Sequence, residues 1–446
     1  MKVSELYIKK YHQFEDFTLN LTYPEGHLKA GKPLDKVCFI GQSGTGKTTL
    51  LNMLKVIILS IKKEIQKGHK NTMIGQSDYG DMSIDIFHKN SCIKIGLYNV
   101  RMRNSSHYAI HCEKDDILEL QSETWFKLFN YPSDIDLPKN LYALRNKAES
   151  IDNLKLKDEL IIDFENYNIA QIWETINETV IEDRETEIRK SLEISKILKD
   201  PINSKHLIDK ATDEFRKWRE ETPNPIQDLA DNYLDKIIGR FNLKVKTELD
   251  FEKKEDIETI KIQQKNGKEI PFEALSTGTK QVILTALPLY GLKPKDSIIL
   301  FDEPERSLYP DIQTEIVDFY TSMAENSQFF FATHSPLVAA SFEPWEIVEL
   351  KFNEETGNVE QELYYDIEKG RHVDNYTIYP QYLTYDGILK RVFDMKKEPN
   401  SLRMNELVKL ATLESQLKHN GLSPEAKKEK FEEIIKLADQ LDWDLK

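Results

Sequence analysis

The sequence predicts an α/β fold with a buried parallel sheet, an antiparallel β-lobe, a helical insertion and a small C-terminal α+β extension. Apolar runs at 36–40, 297–301 and 328–332 are each followed by glycines, carboxylates or a histidine. Such runs suit strands buried on both faces of a parallel sheet, whose carboxyl ends carry ligand chemistry. Residues 3–22 and 82–120 alternate like antiparallel strands, whereas 150–238 carries apolar residues at helical spacing.

The composition is that of a globular protein with a highly charged surface. The 446 residues are 39% hydrophobic and 31% charged, enough for two or three domains. No apolar run reaches transmembrane length, and the first residues lack the apolar core of a signal peptide. Three scattered cysteines, Cys38, Cys92 and Cys112, argue for a reducing compartment. We therefore expect a cytoplasmic protein with no membrane partner.

The elements follow this division in chain order. Strands are expected at 3–9 and 14–21, then a helix at 47–66 and antiparallel strands between 82 and 112. The helical stretch reads as a short hairpin broken at Pro201, followed by a helix at 226–239. The C-terminal part predicts a strand pair at 347–352 and 359–365, then helices at 385–397, 403–419 and 424–441. The predicted divisions are 1–150 with 240–345 for the head, 151–239 for the insertion and 346–446 for the extension.

The stretch from Gly41 to Thr49 has the pattern Gly-x-x-x-x-Gly-Lys-Thr between an expected strand and an expected helix. Glycines let backbone N–H groups close around a polyphosphate, and a helix N-terminus adds partial positive charge. Lys47 would reach the terminal phosphates, and the Thr48 hydroxyl would ligate Mg²⁺. The pattern predicts a nucleoside triphosphate site that comprises Gly41, Gln42, Ser43, Gly44, Thr45, Gly46, Lys47, Thr48 and Thr49.

Three polar residues follow two later apolar runs. Asp302 is placed to hold Mg²⁺, and Glu303 beside it to polarise an attacking water. His334 follows the next run and would hydrogen-bond the γ-phosphate and that water. Taken alone, the first two would be an acidic strand-end loop and the last a structural histidine. The phosphate loop upstream favours the catalytic interpretation.

A second anion site is indicated at the start of an apolar helix. Ser276, Thr277, Gly278 and Thr279 open this helix, whose N-terminal N–H groups can bind phosphate as those of the first helix do. Taken alone, this turn would be an ordinary N-cap.

Together these motifs resemble the ABC-type ATPases of the SMC and RecF kind over about residues 1–340. The order is that of the family: Walker A, signature, Walker B, D-loop and switch histidine, which correspond to Gly41–Thr48, 275–281, Asp302 with Glu303, Ser307-Leu308, and His334. The resemblance implies ATP hydrolysis to ADP and phosphate, with ATP and Mg²⁺ as cofactors. In that family two heads sandwich two ATPs, so Ser276, Thr277, Gly278 and Thr279 would complete the partner subunit's site.

Three stretches, 275–279, the Glu-Pro-Glu run at 303–305 with Pro310, and 333–336, are most similar to the OLD-related prokaryotic ATPases, which include the ATPase subunits of anti-phage systems such as Septu (PtuA) and PARIS (AriA). Two departures stand out: Thr277 replaces a glycine of transporter signatures, and 305–310 replaces the usual D-loop. The Q-loop glutamine has only weak candidates, Gln121 and Gln171.

OLD proteins carry a metal-dependent nuclease after the ATPase, which needs a glutamate and an Asp-x-Asp pair. Residues 341–446 offer only Asp442-Trp443-Asp444, so no nuclease is predicted in this part of the chain. A run with Tyr376, Tyr379, Tyr382 and Tyr385 is either ordinary packing or a partner surface.

The resulting hypothesis is a dimeric ATP-driven switch that regulates a separately encoded effector, expected to be a nuclease, in bacterial anti-phage defence. The alternative is a RecF- or SMC-like DNA repair ATPase acting on DNA ends or gaps. A transporter nucleotide-binding subunit is disfavoured because the chain between Thr48 and Leu275 is long. The net charge of −15 disfavours indiscriminate DNA binding, although a local basic groove remains possible.

Overall fold

A computed structural model describes most of the head and the C-terminal helices. The described residues are 2–67, 73–74, 82–88, 91–102, 105–111, 127–133, 161–164, 169–199, 205–248, 260–363, 365–366, 370–371, 379–393, 395, 401–418, 423–441 and 443. Gln121, Cys112, Tyr376, Asp442 and Asp444, all named above, lie outside them.

The strands are numbered in chain order. They are β1 (Lys2–Tyr11), β2 (Phe14–Asn20), β3 (Lys36–Gly41), β4 (Met73–Ile74), β5 (Met82–His88), β6 (Ser91–Met102), β7 (Ser105–His111), β8 (Leu128–Tyr131), β9 (Ile161–Asp163), β10 (Leu243–Val245), β11 (Ile262–Gln264), β12 (Glu269–Ile270), β13 (Ile298–Asp302), β14 (Gln328–Ala332), β15 (Ile347–Phe352), β16 (Val359–Gln361), β17 (Tyr365–Asp366) and β18 (Gly370–Arg371).

The α-helices are numbered in the same way. They are α1 (Lys47–Lys67), α2 (Ile169–Lys199), α3 (Lys205–Glu221), α4 (Pro225–Asp228), α5 (Asp235–Ile238), α6 (Thr277–Leu292), α7 (Pro310–Gln313), α8 (Ile316–Thr321), α9 (Pro336–Ala339), α10 (Tyr385–Arg391), α11 (Ser401–Lys418) and α12 (Pro424–Leu441). A π-helical turn, Leu229–Leu234, joins α4 to α5.

A seven-stranded sheet forms the centre of the head, in the order β16-β15-β3-β14-β13-β8-β9. All neighbours are parallel except β15 and β16. The predicted parallel core is therefore confirmed. Because β3, β13 and β14 are adjacent and parallel, the loops that follow them meet at one edge of the sheet.

The antiparallel lobe is a six-stranded sheet in the order β2-β1-β5-β6-β7-β4, as the alternation at 3–22 and 82–112 predicted. Its inward apolar residues, such as Leu6 and Ile84, belong to one buried cluster with Leu50 and Leu54 of α1 and Phe330 of β14. Burial of this shared surface fixes the phosphate-loop helix between the two sheets. The α/β class with an antiparallel lobe is thus confirmed.

The region predicted to be a helical insertion differs from the expectation at its start. Strand β9 lies inside 151–239 and forms the edge of the central sheet next to β8, which was not predicted. The helical hairpin itself is present: Arg219 of α3 pairs with Asp183 and Glu187 of α2 at 3.1 and 2.8 Å. Strand β9 was missed because three residues are too few to show a period.

The C-terminal boundary also differs from the predicted residue 346. The strands expected in the extension, β15 and β16, belong to the central sheet, because β15 pairs with β3. The chain divides into compact units at 1–383 and 384–446. In the second unit α11 and α12 bury a small cluster: Leu410, Leu413, Ile434, Leu437 and Leu441.

Two further expectations concern surface residues and membranes. Tyr382 and Tyr385 are 82% and 54% exposed and Tyr379 is 39% exposed, so these tyrosines are not core residues.

No helix within the described ranges has both the length and the apolar character needed to cross a membrane.

Candidate functional site

The phosphate loop lies at the carboxyl end of β3, against the tip of the β1–β2 hairpin. Gly41 and Gly46 have φ of +146° and +88°. A Cβ on Gly41 would lie 2.4 Å from the Leu350 carbonyl oxygen, and one on Gly46 would lie 2.4 Å from Gln13 Nε2. These positions therefore require glycine for both conformation and space.

The Lys47 side chain folds back over this loop. Its Nζ donates hydrogen bonds to the carbonyl oxygens of Gly41, at 2.9 Å, and Gln42, at 3.2 Å. Burial lowers the Lys47 pKa to about 8, although nearby Glu303 and Asp302 act to raise it. A buried cation beside backbone N–H groups is suited to an anionic ligand.

Thr48, in the first turn of α1, contacts Asp302, the last residue of β13. The Thr48 hydroxyl lies 2.9 Å from one carboxylate oxygen of Asp302 and 3.1 Å from the other. Burial raises the Asp302 pKa, and repulsion by Glu303 adds to this, while hydrogen bonds from Thr48 and Ser133 lower it. Hydroxyl and carboxylate oxygens are the donors that Mg²⁺ prefers, so the residues present fit that ion.

Glu303 and His334 follow the adjacent strands β13 and β14. Their side chains approach to 3.8 Å, between Glu303 Oε1 and His334 Nε2. Glu303 has a φ of +48°, and its N–H donates to the Ala332 carbonyl oxygen at 2.8 Å, which turns the loop toward β14. Burial and the charge of Lys47 lower the His334 pKa, which favours a neutral imidazole at neutral pH.

The turn at 276–279 caps helix α6. The Ser276 hydroxyl accepts the Thr279 N–H at 3.2 Å, while Ser276 and Thr277 are exposed and Thr279 is buried. Gly278 packs against the loop after β13, where a Cβ would lie 2.3 Å from the Ser307 carbonyl oxygen. The hydrogen bonds found for this turn stay within it and its own helix, whereas Asp302, Glu303 and His334 surround the phosphate loop.

Four residues near the site were not predicted from sequence. Gln13 Nε2 donates to the Gly44 carbonyl oxygen at 3.4 Å, and Phe352 lies beside Gly44. Ser133, just after β8, hydrogen-bonds Asp302, and Glu305, in the loop after β13, is buried. The only available signal was the hairpin turn before Phe14, because the other contacts depend on tertiary structure. Of the Q-loop candidates, Gln171 lies in α2 and not in a loop.

A family whose description is "AAA ATPase domain" matches residues 1–339. Among solved structures, an Smc head bound to the C-winged helix domain of ScpA has a TM-score of 0.40 and 13% identity, covering 81% of this chain and 97% of that one. The Pyrococcus furiosus Smc head with an extended coiled coil, bound to the C-terminal domain of ScpA, has a TM-score of 0.37 and 14% identity, covering 81% and 95%. The Thermotoga maritima SMC head has a TM-score of 0.37 and 10% identity, covering 81% and 98%. The comparison with curated proteins gave no match.

Proposed function

This chain belongs to the AAA ATPase domain family, and from its site we propose that it hydrolyses ATP with Mg²⁺ as an ATP-dependent dimeric switch. The observation that carries the proposal is the contact of Thr48 with both oxygens of Asp302, at 2.9 and 3.1 Å. It joins a phosphate-loop hydroxyl to a carboxylate at the end of β13, which is separated from β3 by β14 in the same parallel sheet, the arrangement that a nucleotide-bound Mg²⁺ requires.

Each side chain then has a distinct role in the proposed reaction. Residues 41–49 bind the phosphates, and Lys47 neutralises charge on the terminal ones. Thr48 and Asp302 would hold Mg²⁺, which supplies charge neutralisation at the β- and γ-phosphates. Glu303 accepts the proton of the attacking water, and neutral His334 hydrogen-bonds the γ-phosphate and that water.

The test is a comparison of two glutamates at opposite ends of the sheet. We expect Glu303→Gln to bind ATP normally and to lose about 10²-fold or more in kcat, because the amide cannot accept the proton. The control is Glu325→Gln, which changes an exposed carboxylate just before β14 and should leave kcat unchanged. Equal rates for the wild type and Glu303→Gln would refute the assignment of the base.

The proposed dimer places the exposed Ser276 and Thr277, with Gly278 and Thr279, at the nucleotide of a second copy. Support comes from the exposure of Ser276 and Thr277 at the start of α6. The expected result is that Glu303→Gln with ATP and Mg²⁺ elutes as a larger species in size exclusion. A monomeric elution volume at saturating ATP would contradict the dimer.

The switch is proposed to regulate a separately encoded effector, a nuclease of an anti-phage system. Within the described part of the chain, no group of three or more His, Cys, Asp or Glu side chains could hold a second metal ion. We expect the purified chain to hydrolyse ATP and to leave plasmid DNA and RNA intact with Mg²⁺ or Mn²⁺. Cleavage abolished by a mutation outside the ATP site would contradict a purely regulatory role.

A further inference from the structure

A second, buried glutamate lies in the same loop as Glu303. Glu305 is 7% exposed and follows β13, two residues after Glu303. Its Oε1 accepts a hydrogen bond from the Thr333 hydroxyl, which follows β14 and immediately precedes His334. The contact therefore joins the two loops that carry Glu303 and His334.

The Glu305 carboxyl lies in an environment that is unusual for a glutamate that takes no part in catalysis, because it is buried and only partly hydrogen-bonded. Its Oε2 is buried and, within the described residues, has no hydrogen-bond partner. The groups that act on it are Glu303 of its own loop, Thr333 and the His334 N–H after β14, and the Cys38 thiol of β3. Burial raises its pKa to about 7, against the lowering effect of the Thr333 hydrogen bond. Such a group is costly to bury, so its retention calls for a role.

Thr333 also hydrogen-bonds the next part of its own loop, which follows β14. Its hydroxyl accepts the Ser335 N–H at 2.9 Å while it donates to Glu305, so both of its hydrogen-bonding directions are fixed. Replacing either the carboxyl or the hydroxyl breaks this chain.

A second cross-link closes the network at the far end of the first loop. The Ser335 hydroxyl donates to Gln313 Oε1 at 2.6 Å, and Gln313 Nε2 donates to the Leu308 carbonyl oxygen at 2.9 Å. The Leu308 N–H donates in turn to the Glu305 carbonyl oxygen at 3.0 Å. Hydrogen bonds thus join the two loops at two places, and the loops carry Glu303 and His334.

We propose that Glu305 is a positioning residue that sets the separation of Glu303 and His334 through the Thr333 hydroxyl. This inference rests on the proposed ATPase function and adds a residue to it. Glu305 touches no reacting atom in this arrangement. It acts because its buried hydrogen bond to Thr333 restrains the loop after β13 relative to the loop after β14, next to the Glu303 N–H bond to the Ala332 carbonyl oxygen and the Ser335 bond to Gln313.

Two matched pairs of variants test the proposal. Glu305→Gln keeps a carbonyl acceptor for Thr333, whereas Glu305→Leu keeps the volume and removes the acceptor. Thr333→Ser keeps the hydroxyl, whereas Thr333→Val removes it. We expect the Leu and Val variants to lose about tenfold in kcat with KM for ATP within about twofold, since misplacing catalytic groups slows the chemical step. The Gln and Ser variants should stay within about threefold of wild type.

The double variant Glu305→Leu with Thr333→Val should be no slower than either single variant, because both remove one interaction. The control is Glu346→Gln, which changes a similarly buried carboxyl before β15 and should leave kcat unchanged. An inactive wild type would refute the ATPase itself and say nothing about Glu305. An active wild type with Glu305→Leu and Thr333→Val at wild-type kcat would overturn the inference. If Glu305→Leu does not fold, the Thr333 pair decides by itself.

Discussion

Among the described residues, helices α1 and α6 each begin at a short polar turn with glycine, and the surroundings of the two turns differ. At the start of α1, Lys47 and Thr48 meet Asp302 from β13 within the same chain. At the start of α6, Ser276 caps its own helix and Gly278 rests on Ser307.

The difference indicates that a helix N-terminus by itself is a weak anion site. The side chains that follow neighbouring strands decide which ligand such a terminus can bind. Helix α1 begins where β3, β13 and β14 end together, so cation, hydroxyl and carboxylates converge there. Helix α6 begins beside the loop after β13 and presents Ser276 and Thr277 outward. The proposed nucleotide contact of the α6 turn therefore requires a second copy of the chain.

The largest expected effect is on ATP affinity, and it is obtained by removing the lysine at the start of each helix. Lys47→Ala should weaken ATP binding by about 10²-fold or more, because a buried charge on the phosphates is lost. Lys280→Ala removes the cation in the first turn of α6, whose Nζ bonds the Glu273 carbonyl oxygen, and should leave affinity unchanged. Titration with a fluorescent ATP analogue measures both. Similar losses for the two variants would remove the contrast between the helices.

Mixing subunits tests whether the α6 turn serves a second copy. Lys47→Ala and Ser276→Arg proteins should each be inactive alone. A mixture in equal amounts should recover about a quarter of wild-type ATPase activity, because half of the dimers are mixed and each has one intact site. The steady-state rate before and after mixing gives the answer. Sites complete within one chain would leave the mixture inactive.

Two glycines allow a smaller test of packing at each helix. Gly278→Ala places a Cβ against the Ser307 backbone, whereas the space at Gly44 is open to 3.9 Å. We expect Gly278→Ala to lower kcat about tenfold by displacing the loop that carries Glu303. Gly44→Ala, at a φ of +87°, should cost about 1 kcal/mol of strain and weaken ATP binding about fivefold. Kinetics and nucleotide titrations separate the two outcomes, and an effect of Gly278→Ala on KM alone would contradict this division.

The last test concerns a buried carboxyl outside either helix start and is measured in stability, with no change expected in binding or turnover. Burial raises the Glu346 pKa from 4.5 to about 7, so the folded state keeps a proton that the unfolded state has lost. The stability linked to that proton is present below pH 4.5 and is lost as the pH rises to 7. Between pH 5 and 8 the free energy of unfolding of Glu346→Gln should therefore rise relative to that of the wild type, by at most about 3 kcal/mol. Urea unfolding at both pH values measures this, and an unchanged difference would contradict the direction of the shift.

The sequence predicted elements with long or motif-bearing patterns and missed those defined by neighbours. The run before Asp302 and the run before His334 were predicted as buried strands, and both lie in the central sheet. Strand β15 was predicted as a strand, but its membership of that sheet depends on pairing with β3, far away in the chain. Strands β8 and β9 have only four and three residues, which is too short for periodicity to register.

The candidate site follows the same rule. The contact of Thr48 with Asp302 was predictable because both residues belong to recognisable motifs. Glu305 stands in the same run as Glu303, yet its environment is set by Thr333, which is 28 positions later. No local pattern distinguishes a glutamate that faces solvent from one enclosed beneath a loop.

The order of strands in the central sheet has a consequence for the synthesis of the chain. Strand β3, which carries the phosphate loop, pairs with β14 and β15, and β14 begins about 290 residues further along. A ribosome that has made β3 and α1 has therefore produced an apolar strand without either of its sheet neighbours. Closing this long contact is entropically slow and leaves β3 and the apolar face of α1 exposed on the nascent chain. The nascent chain should consequently become able to bind nucleotide in one late step, when residues beyond Phe352 leave the exit tunnel. It should not gain this ability gradually as the phosphate loop emerges.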